Sequence, residues 1–583
     1  MFRRRIDFLS LIFLCLFTLL VMRMGYIQIL KGPDLTRQAV AMRSRQIELK
    51  EFSRGEILDR NLVPLTGTRV ASAVYCLPQE IIKTYAGNQR ANDQAAAKEA
   101  ALYQLAGELG KLIGVEQEEI FSPLRDAYRR QTRFVRIADD LNPAEVQLIQ
   151  ESKLPGTVVA PVIKRYREDG FAVHLVGYLG GGPEDAGQAG LEKAYDALLR
   201  DNRSSAQLSS VLDARGVAIE GLMLRVRQQQ NEQKAALVLS LDKRVQEIAE
   251  QAMDNHIGRG AVVVMDVDSK EVLAMVSRPA FNPYTVKEIL ASDQNGSLNN
   301  RTLLTYHPGS LFKILVAAAA LEEGIIDENS WKYDCSGEYQ FEQVSISCWK
   351  EEGHGPVNFE QAFALSCNPA FIKVGLELGR ERLMEYARRL HATDESLLGY
   401  PSYRAGGYVT IDRGEPALGN ACVGQQGVML TPLQLASLVS TIADQGRWGP
   451  PRVLRYTVDS KGKEQPLPPV KKETVISPQT ARRMQQLMEG VVAGGTGRSA
   501  ALPQVRVAGK TGTSQTGRYR DQEKQDEVLN AWFAGYFPAD QPRWAIVVVA
   551  EEGTSGAENA APVFRAIANE MLRCFSTTSV GRG

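Results

Sequence analysis

Polar and apolar positions separate sharply over the first thirty residues, where Arg3, Arg4 and Arg5 precede a predominantly apolar run at 8–22. Fifteen helical residues rise only about 22 Å, short of a hydrocarbon core of roughly 30 Å. Ile6, a snorkelling Arg23 and the apolar residues of 25–30 extend the run to a tilted span of about twenty residues. No small-x-small cleavage site follows, so an uncleaved signal anchor is expected rather than a removed signal peptide. The arginines would then stay in the cytoplasm and everything after residue 30 would lie outside.

Beyond the anchor, strand-like pieces at 71–77 and 158–162 flank an Ala-rich helical stretch at 92–113. The polar segment RVRQQQNEQKA (225–235) then gives way to the apolar ALVLSLD, and this shift marks the main boundary. The expected organisation is a cytoplasmic tip and anchor (1–30), a first module (31–235), a second module (236–575) and a polar tail (576–583). In the second module, 245–255 reads as helix, and GAVVVMDVDSKEVLAMVS as a hairpin around its DSK turn. Further helices are expected at 310–323, closed by Gly324, and at 359–378 and 477–492. The late segments VRVAGKTGTS, NAWFAGYFP and RWAIVVVAE are strand-like. With the hairpin they predict an antiparallel sheet of about five strands flanked by the intervening helices, an α+β fold.

Lys plus Arg and Asp plus Glu both number 68, which argues against nucleic acid or an acidic surface as the main partner. Of seven cysteines, Cys15 lies in the apolar run, while Cys76, Cys367, Cys422 and Cys574 stand alone and read as small buried residues. Cys335 and Cys348 bracket a hairpin-like SGEYQFEQVSIS, and outside the cytoplasm they could form a disulfide. With five histidines, no HExxH and no CxxC, no metal site and no cofactor are expected.

Ser310, in HPGSLFKI, could be a helix N-cap or a nucleophile. Lys313 lies three residues on, sharing a helix face with Ser310 but flanked by Leu311, Phe312, Ile314 and Leu315. Apolar company disfavours the ammonium form and can make the amine a base. Bringing a lysine from about 10.4 to near neutrality costs about 4 kcal/mol, within reach of desolvation plus a second cation. Lys510, in VRVAGKTGTS, could supply that cation, and between the two lies Ser366-Cys367-Asn368.

Taken together, Ser-x-x-Lys, Ser-x-Asn and Lys-Thr-Gly in this order form the triplet of the serine penicillin-recognising enzymes. The chain closely resembles a class B penicillin-binding protein, a membrane-anchored D,D-transpeptidase of the bacterial cell wall. The resemblance extends through SRGEILDRN (53–61), HLVGYLG (174–180), GLEKAYDALL (190–199), CWKEEGHG (348–355) and VGQQGVMLTPLQLA (423–436). It implies a transpeptidase domain at 236–575 above a mixed α/β, non-catalytic pedestal at 31–235. It also implies roles: Ser310 attacks the carbonyl between two D-alanines, and neutral Lys313 takes its proton. Ser366 relays the proton to the departing amine, and Asn368 binds the substrate amide. Lys510 keeps Lys313 neutral and attracts the terminal carboxylate. Thr511, Gly512 and Thr513 complete the substrate-binding strand, with the N–H groups of Ser310 and Thr513 as the oxyanion hole. The implied partners are peptidoglycan stem peptides as donor and amine acceptor, β-lactams as inhibitors, the membrane, a polytopic glycosyltransferase and other wall-synthesis proteins. No glycosyltransferase module or appended small repeat is recognisable in the chain itself.

Several positions depart from the family pattern. Leu62 stands where RGxIxDRNG has its last glycine, and the usual GQG is stretched to Gly424-Gln425-Gln426-Gly427. Arg54, Asp59 and Arg60 suggest a structural charge cluster. Cys367 reads as packing, His354 as structural, the EPALGN from Glu415 as the approach to the Gly424 loop, and GGTGRS (494–499) as a failed P-loop lacking its lysine. The competing functions are a D,D-carboxypeptidase or β-lactamase, which would need a water-activating carboxylate, and a non-catalytic β-lactam sensor or scaffold.

Overall fold

A computed structural model describes residues 2–32, 35, 44–52, 54–67, 69–85, 94–132, 134–180, 186–200, 205–211, 225–228, 235–293, 295–327, 330–394, 398, 407–521, 523 and 526–576. Ser53, the centre of the polar segment before Ala235 and the tail beyond Ser576 lie outside the described residues. The chain forms two compact units that interleave in sequence, one from 1–53, 69–164 and 202–232, the other from 54–68, 165–201 and 233–583.

The first unit begins with the helix Phe2–Gly25. The window Leu11–Gln28 is long and apolar enough to cross a membrane, and none of it is buried. Farther on, Arg69–Cys76 is the central strand of an antiparallel three-stranded sheet, between Val135–Ala138 and Thr157–Lys164. The expected helical stretch is Gln94–Ile113, which joins Gln117–Arg129 in burying Leu102, Leu105, Leu109, Ile120 and Leu124 against Val74 and Cys76. A second three-stranded sheet joins Ser44–Phe52, Ser205–Val211 and Arg225–Gln228.

The second unit is built on five antiparallel strands: β1 (Gly260–Asp266), β2 (Val272–Arg278), β3 (Ala508–Asp521), β4 (Asp526–Phe537) and β5 (Trp544–Gly553), in the order β2-β1-β5-β4-β3. This is the sheet expected from the hairpin and the three late segments. Alternation along each strand feeds two cores, because both faces are covered. Val263, Met265, Trp532, Ala534, Val547 and Val549 face one way; Val262, Val264, Phe533, Ile546 and Val548 face the other. Helices Lys243–His256 and Ala561–Ser576 cover the second face. The first face carries α1 (Lys313–Glu322), whose residues from Lys313 to Ala320 are all buried, and the wholly buried helix Pro432–Ala443. Burial on both sides explains why VVVMD and WAIVVVA are continuous apolar runs rather than alternating ones.

The helix expected over 359–378 is instead two, α2 (Phe359–Ala364) and α3 (Asn368–Leu378). The chain breaks between them at Ser366, whose φ of +58° no helix interior accepts, and Pro369 restarts it in the first turn of α3.

Arg54, Asp59 and Arg60 do not form one cluster. Arg54 pairs with Glu192 and Asp196, Arg60 pairs with Glu271, and Asp59 accepts the backbone N–H groups of Asn61, Val63 and Lys243. Glu192, wholly buried, also receives Arg165 and Tyr166, so GLEKAY and SRGEILDRN meet through one carboxylate.

Leu62 adopts a φ of +63°, the left-handed conformation a glycine takes without strain, and its side chain is 56 % exposed. Packing therefore returns little for the backbone cost. Leu62→Gly is expected to raise stability by about 1 kcal/mol, read as a higher urea midpoint of the full chain in detergent.

Candidate active site

Ser310 lies in a 3-10 turn, Gly309–Phe312, that runs directly into α1, and the N-cap positions of the turn and of α1 are Pro308 and Phe312, not Ser310. The N-cap reading therefore fails, and the half-buried hydroxyl is left available. The turn is seated between two loops by glycines. Gly309 has a φ of +53°, its N–H donates to the Gly424 carbonyl at 2.9 Å, and a Cβ there would lie 2.4 Å from the Thr513 carbonyl oxygen. Gly424 and Gly427, the ends of the stretched GQQG, have φ of +74° and +87°, so the insertion keeps a glycine at each left-handed position. His307 is taken up structurally, its Nδ1 lying 2.8 Å from the Val428 carbonyl oxygen.

Lys313 and Lys510 are completely buried. The Lys313 ammonium donates to the Ser366 carbonyl at 2.8 Å, to Ser366 Oγ at 3.3 Å and to Asn368 Oδ1 at 2.7 Å. The α2–α3 break therefore supplies all three acceptors, and the left-handed Ser366 aims them. Asn368 Nδ2 in turn donates to the Ser347 carbonyl at 3.0 Å, fixing the amide's orientation. Lys510, on β3, reaches the Thr511 carbonyl at 3.3 Å. Phe371 lies 5.6 Å from the Lys313 amine and Phe363 lies 5.7 Å from that of Lys510, and the two rings pack together at 5.9 Å.

Burial pushes Lys313 down to about 8, partly offset by the thiols of Cys367 and Cys348. Burial, and then the charge of Lys313, hold Lys510 well below the ordinary lysine range. The pair is thus arranged to share less than two protons. The repulsion between the two acts on Lys510, whereas Lys313 is lowered by burial alone.

β3 is the edge strand of its sheet, and Gly512 lets it approach the Ser310 turn: a Cβ there would come within 2.9 Å of the Pro308 carbonyl oxygen. Thr513 Oγ1 accepts from Gly556 N–H at 3.4 Å, and Thr511 Oγ1 lies 2.6 Å from Thr496 Oγ1. Thr496 belongs to GGTGRS, which has a use the sequence did not suggest. Its N–H donates to the Ala364 carbonyl at 3.1 Å, tying the segment to the end of α2.

Glu415, the acid of the EPALGN segment, is exposed at the start of the helix Glu415–Cys422. Among the described residues no carboxylate hydrogen-bonds to Ser310, Lys313, Ser366, Asn368 or Lys510. An open cleft of about 410 Å³ borders the turn through Tyr306 and His307, and Arg259, Arg301, Gln515 and Asn530 also line it. It contains neither lysine nor Ser310, so chemistry and not concavity marks the site.

Cys335 and Cys348 do converge, but as free thiols rather than a disulfide, and Cys367 and His354 join them. Cys367 is therefore buried but not isolated. Cys76 and Cys422 are buried as expected, whereas Cys574 is exposed.

Residues 260–569 match the penicillin binding protein transpeptidase domain, and residues 50–234 match the penicillin-binding protein dimerisation domain. The first match spans more than half of the chain, which belongs to the penicillin-binding protein transpeptidase family. Stage V sporulation protein D of Bacillus subtilis is 28 % identical over 599 residues, covering 98 % of this chain and 85 % of that protein. Peptidoglycan D,D-transpeptidase FtsI of Escherichia coli is 28 % identical over 571 residues, covering 94 % and 88 % respectively. The D,D-transpeptidase domain of a peptidoglycan glycosyltransferase from Eggerthella lenta shares the fold, with a TM-score of 0.58 and 24 % identity over 72 % of this chain and 93 % of that one.

Burying Lys313 has a thermodynamic signature. Its folded pKa lies below the unfolded value of about 10.5, so the cost is fully present below pH 8, and stability rises as pH climbs from about 8 to about 10.5. Between pH 7.5 and 9.5 the gain is about 2 kcal/mol. Lys313→Met is expected to lose that part of the rise, seen as a flatter plot of unfolding midpoint against pH than the wild-type chain gives.

Proposed function

We propose that the protein is a peptidoglycan D,D-transpeptidase, a serine acyltransferase that cross-links stem peptides with release of D-alanine and is inhibited by β-lactams. One observation carries this reading: a half-exposed serine one turn before a fully buried lysine, with a second fully buried lysine whose ammonium form the first disfavours. Ser310 attacks the penultimate D-alanine carbonyl, and the neutral fraction of Lys313 accepts its proton. The hydrogen bond from Lys313 to Ser366 Oγ gives that proton a path toward the departing amine. As an edge strand, β3 can pair with an extended stem peptide. Thr511 and Thr513 offer hydroxyls, and Lys510 a cation, to the terminal carboxylate. The N–H groups of Ser310 and Thr513 receive the developing oxyanion. An amine of a second stem peptide then displaces the serine.

Glu415 is exposed, and among the described residues no carboxylate hydrogen-bonds to the site, which disfavours the hydrolases, since they need an activated water. The apolar N-terminal helix serves as a membrane anchor, with Arg3, Arg4 and Arg5 on the cytoplasmic side and the transpeptidase domain (236–575) outside. Residues 31–235 act as a non-catalytic pedestal through which a polytopic glycosyltransferase and other wall-synthesis proteins are engaged.

Incubation of the full chain with a fluorescent penicillin is expected to label Ser310, identified by peptide mapping, with an adduct that persists over many minutes. Ser310→Ala should abolish the label. Rapid turnover of the adduct would favour a hydrolase, and label on another residue would contradict the reading.

A further inference from the structure

Outside the lysine pair, one group of potential metal ligands among the described residues includes Cys367, in the middle of the Ser366–Asn368 break. Cys335 ends the strand Lys332–Cys335, which pairs in antiparallel register with Gly355–Asn358, so that Cys335 sits opposite Gly355 and next to His354. Cys348 follows the strand Ser345–Ser347, its N–H donating to the Gly337 carbonyl at 2.7 Å. Cys367 immediately precedes α3. The three sulfurs and one His354 ring nitrogen all lie within 4.8 Å of one another. His354 Nδ1 is 3.5 Å from Cys348 Sγ and 3.7 Å from Cys335 Sγ.

The two nitrogen–sulfur separations match the edges of a coordination tetrahedron, and the 4.8 Å limit on the rest is compatible with one. Metal–sulfur bonds of about 2.3 Å and metal–nitrogen bonds of about 2.0 Å, at tetrahedral angles, put sulfur and nitrogen about 3.5 Å apart and two sulfurs about 3.8 Å apart. A disulfide would need two sulfurs at about 2.05 Å and would leave the third thiol and the imidazole unused. All three cysteines are buried, where thiols alone would be weakly satisfied.

We propose that Cys335, Cys348, His354 and Cys367 bind one zinc ion in a closed tetrahedral site, and that this ion clamps the Ser366–Asn368 segment against which Lys313 is held. Zinc suits the donor set, being the usual divalent ion of Cys3His sites that lack an open position. Each bound cysteine gives up its proton on binding, with no change of oxidation state. Cys367 lies between Ser366 and Asn368, so the ion fixes from behind the same backbone turn that aims the acceptors of Lys313 from in front. The clamp rests on the catalytic roles proposed above; the metal site does not.

The test uses the full chain purified in detergent without chelators. Elemental analysis is expected to find close to one zinc per chain. Replacement by cobalt should give strong tetrahedral ligand-field bands and a thiolate-to-cobalt charge-transfer band. Native alkylation should spare Cys335, Cys348 and Cys367 until zinc is stripped. Acylation of the stripped protein by fluorescent penicillin should slow at least severalfold and recover when zinc, not magnesium, is restored. Cys335→Ser and His354→Ala should each lower zinc content. Should either variant fold poorly, the wild-type cobalt spectrum decides the matter. Protein with no zinc and no cobalt spectrum, carrying three readily alkylated thiols or a disulfide between any two of these cysteines, overturns the site. Zinc removal that leaves acylation unchanged overturns the clamp. A zinc-bound chain that penicillin does not label at Ser310 would contradict the transpeptidase reading and leave the metal site standing.

Discussion

Two lysine amines buried in one apolar chamber are the constraint around which the second unit is organised. Each ammonium loses its hydration, and together they repel, so such a pair persists only where the fold leaves the amines no route to water. That enclosure comes from α1, buried along its whole catalytic end, from Phe363 and Phe371 on α2 and α3, and from β3 on the opposite side. Stability is given up locally, and two amines held below the ordinary lysine range are what it yields.

Backbone irregularity does the aiming. Ser366 is left-handed between two helices, and that single conformation turns its carbonyl and hydroxyl, with the Asn368 amide, toward Lys313. Gly309, Gly424 and Gly512 remove side chains where the serine turn, the GQQG loop and β3 come closest. These close approaches let one short turn touch an edge strand and a loop more than a hundred residues away in sequence. If zinc sits behind Cys367, the break is held from both sides, which would explain why a strained residue can be kept there reproducibly.

The five-stranded sheet and most of its helices were legible because their apolar periods are strong and their turns carry recognisable residues, as in the DSK hairpin. The Ser-x-x-Lys, Ser-x-Asn and Lys-Thr-Gly triplet was legible as spacing. What linear reading missed depends on long-range pairing. Pro369 marks a candidate helix break within 359–378, but nothing local announces a left-handed serine three residues before it. Thr496 gave no sign of its partner Thr511. Arg54, Asp59 and Arg60 looked like one cluster because they are neighbours in sequence, yet their partners lie at Glu192, at the start of the Lys243–His256 helix and at Glu271. The thiol–imidazole cluster escaped for a similar reason. Its members are spaced Cys-x12-Cys-x5-His-x12-Cys, far from the short CxxC pattern, and only two strand pairings and a helix start bring them together.

The charge state of the buried amines can be observed directly. A full chain labelled with 13C and 15N in lysine, with Lys313 and Lys510 assigned by single substitution, can be titrated by NMR through the side-chain Cε and Nζ resonances. Lys313 should titrate near 8, and Lys510 should remain uncharged well below the ordinary lysine value. Finding both amines fully charged up to about 10.4, like exposed lysines, would contradict the central claim that burial lowers both amines and that the charge of Lys313 lowers Lys510 further.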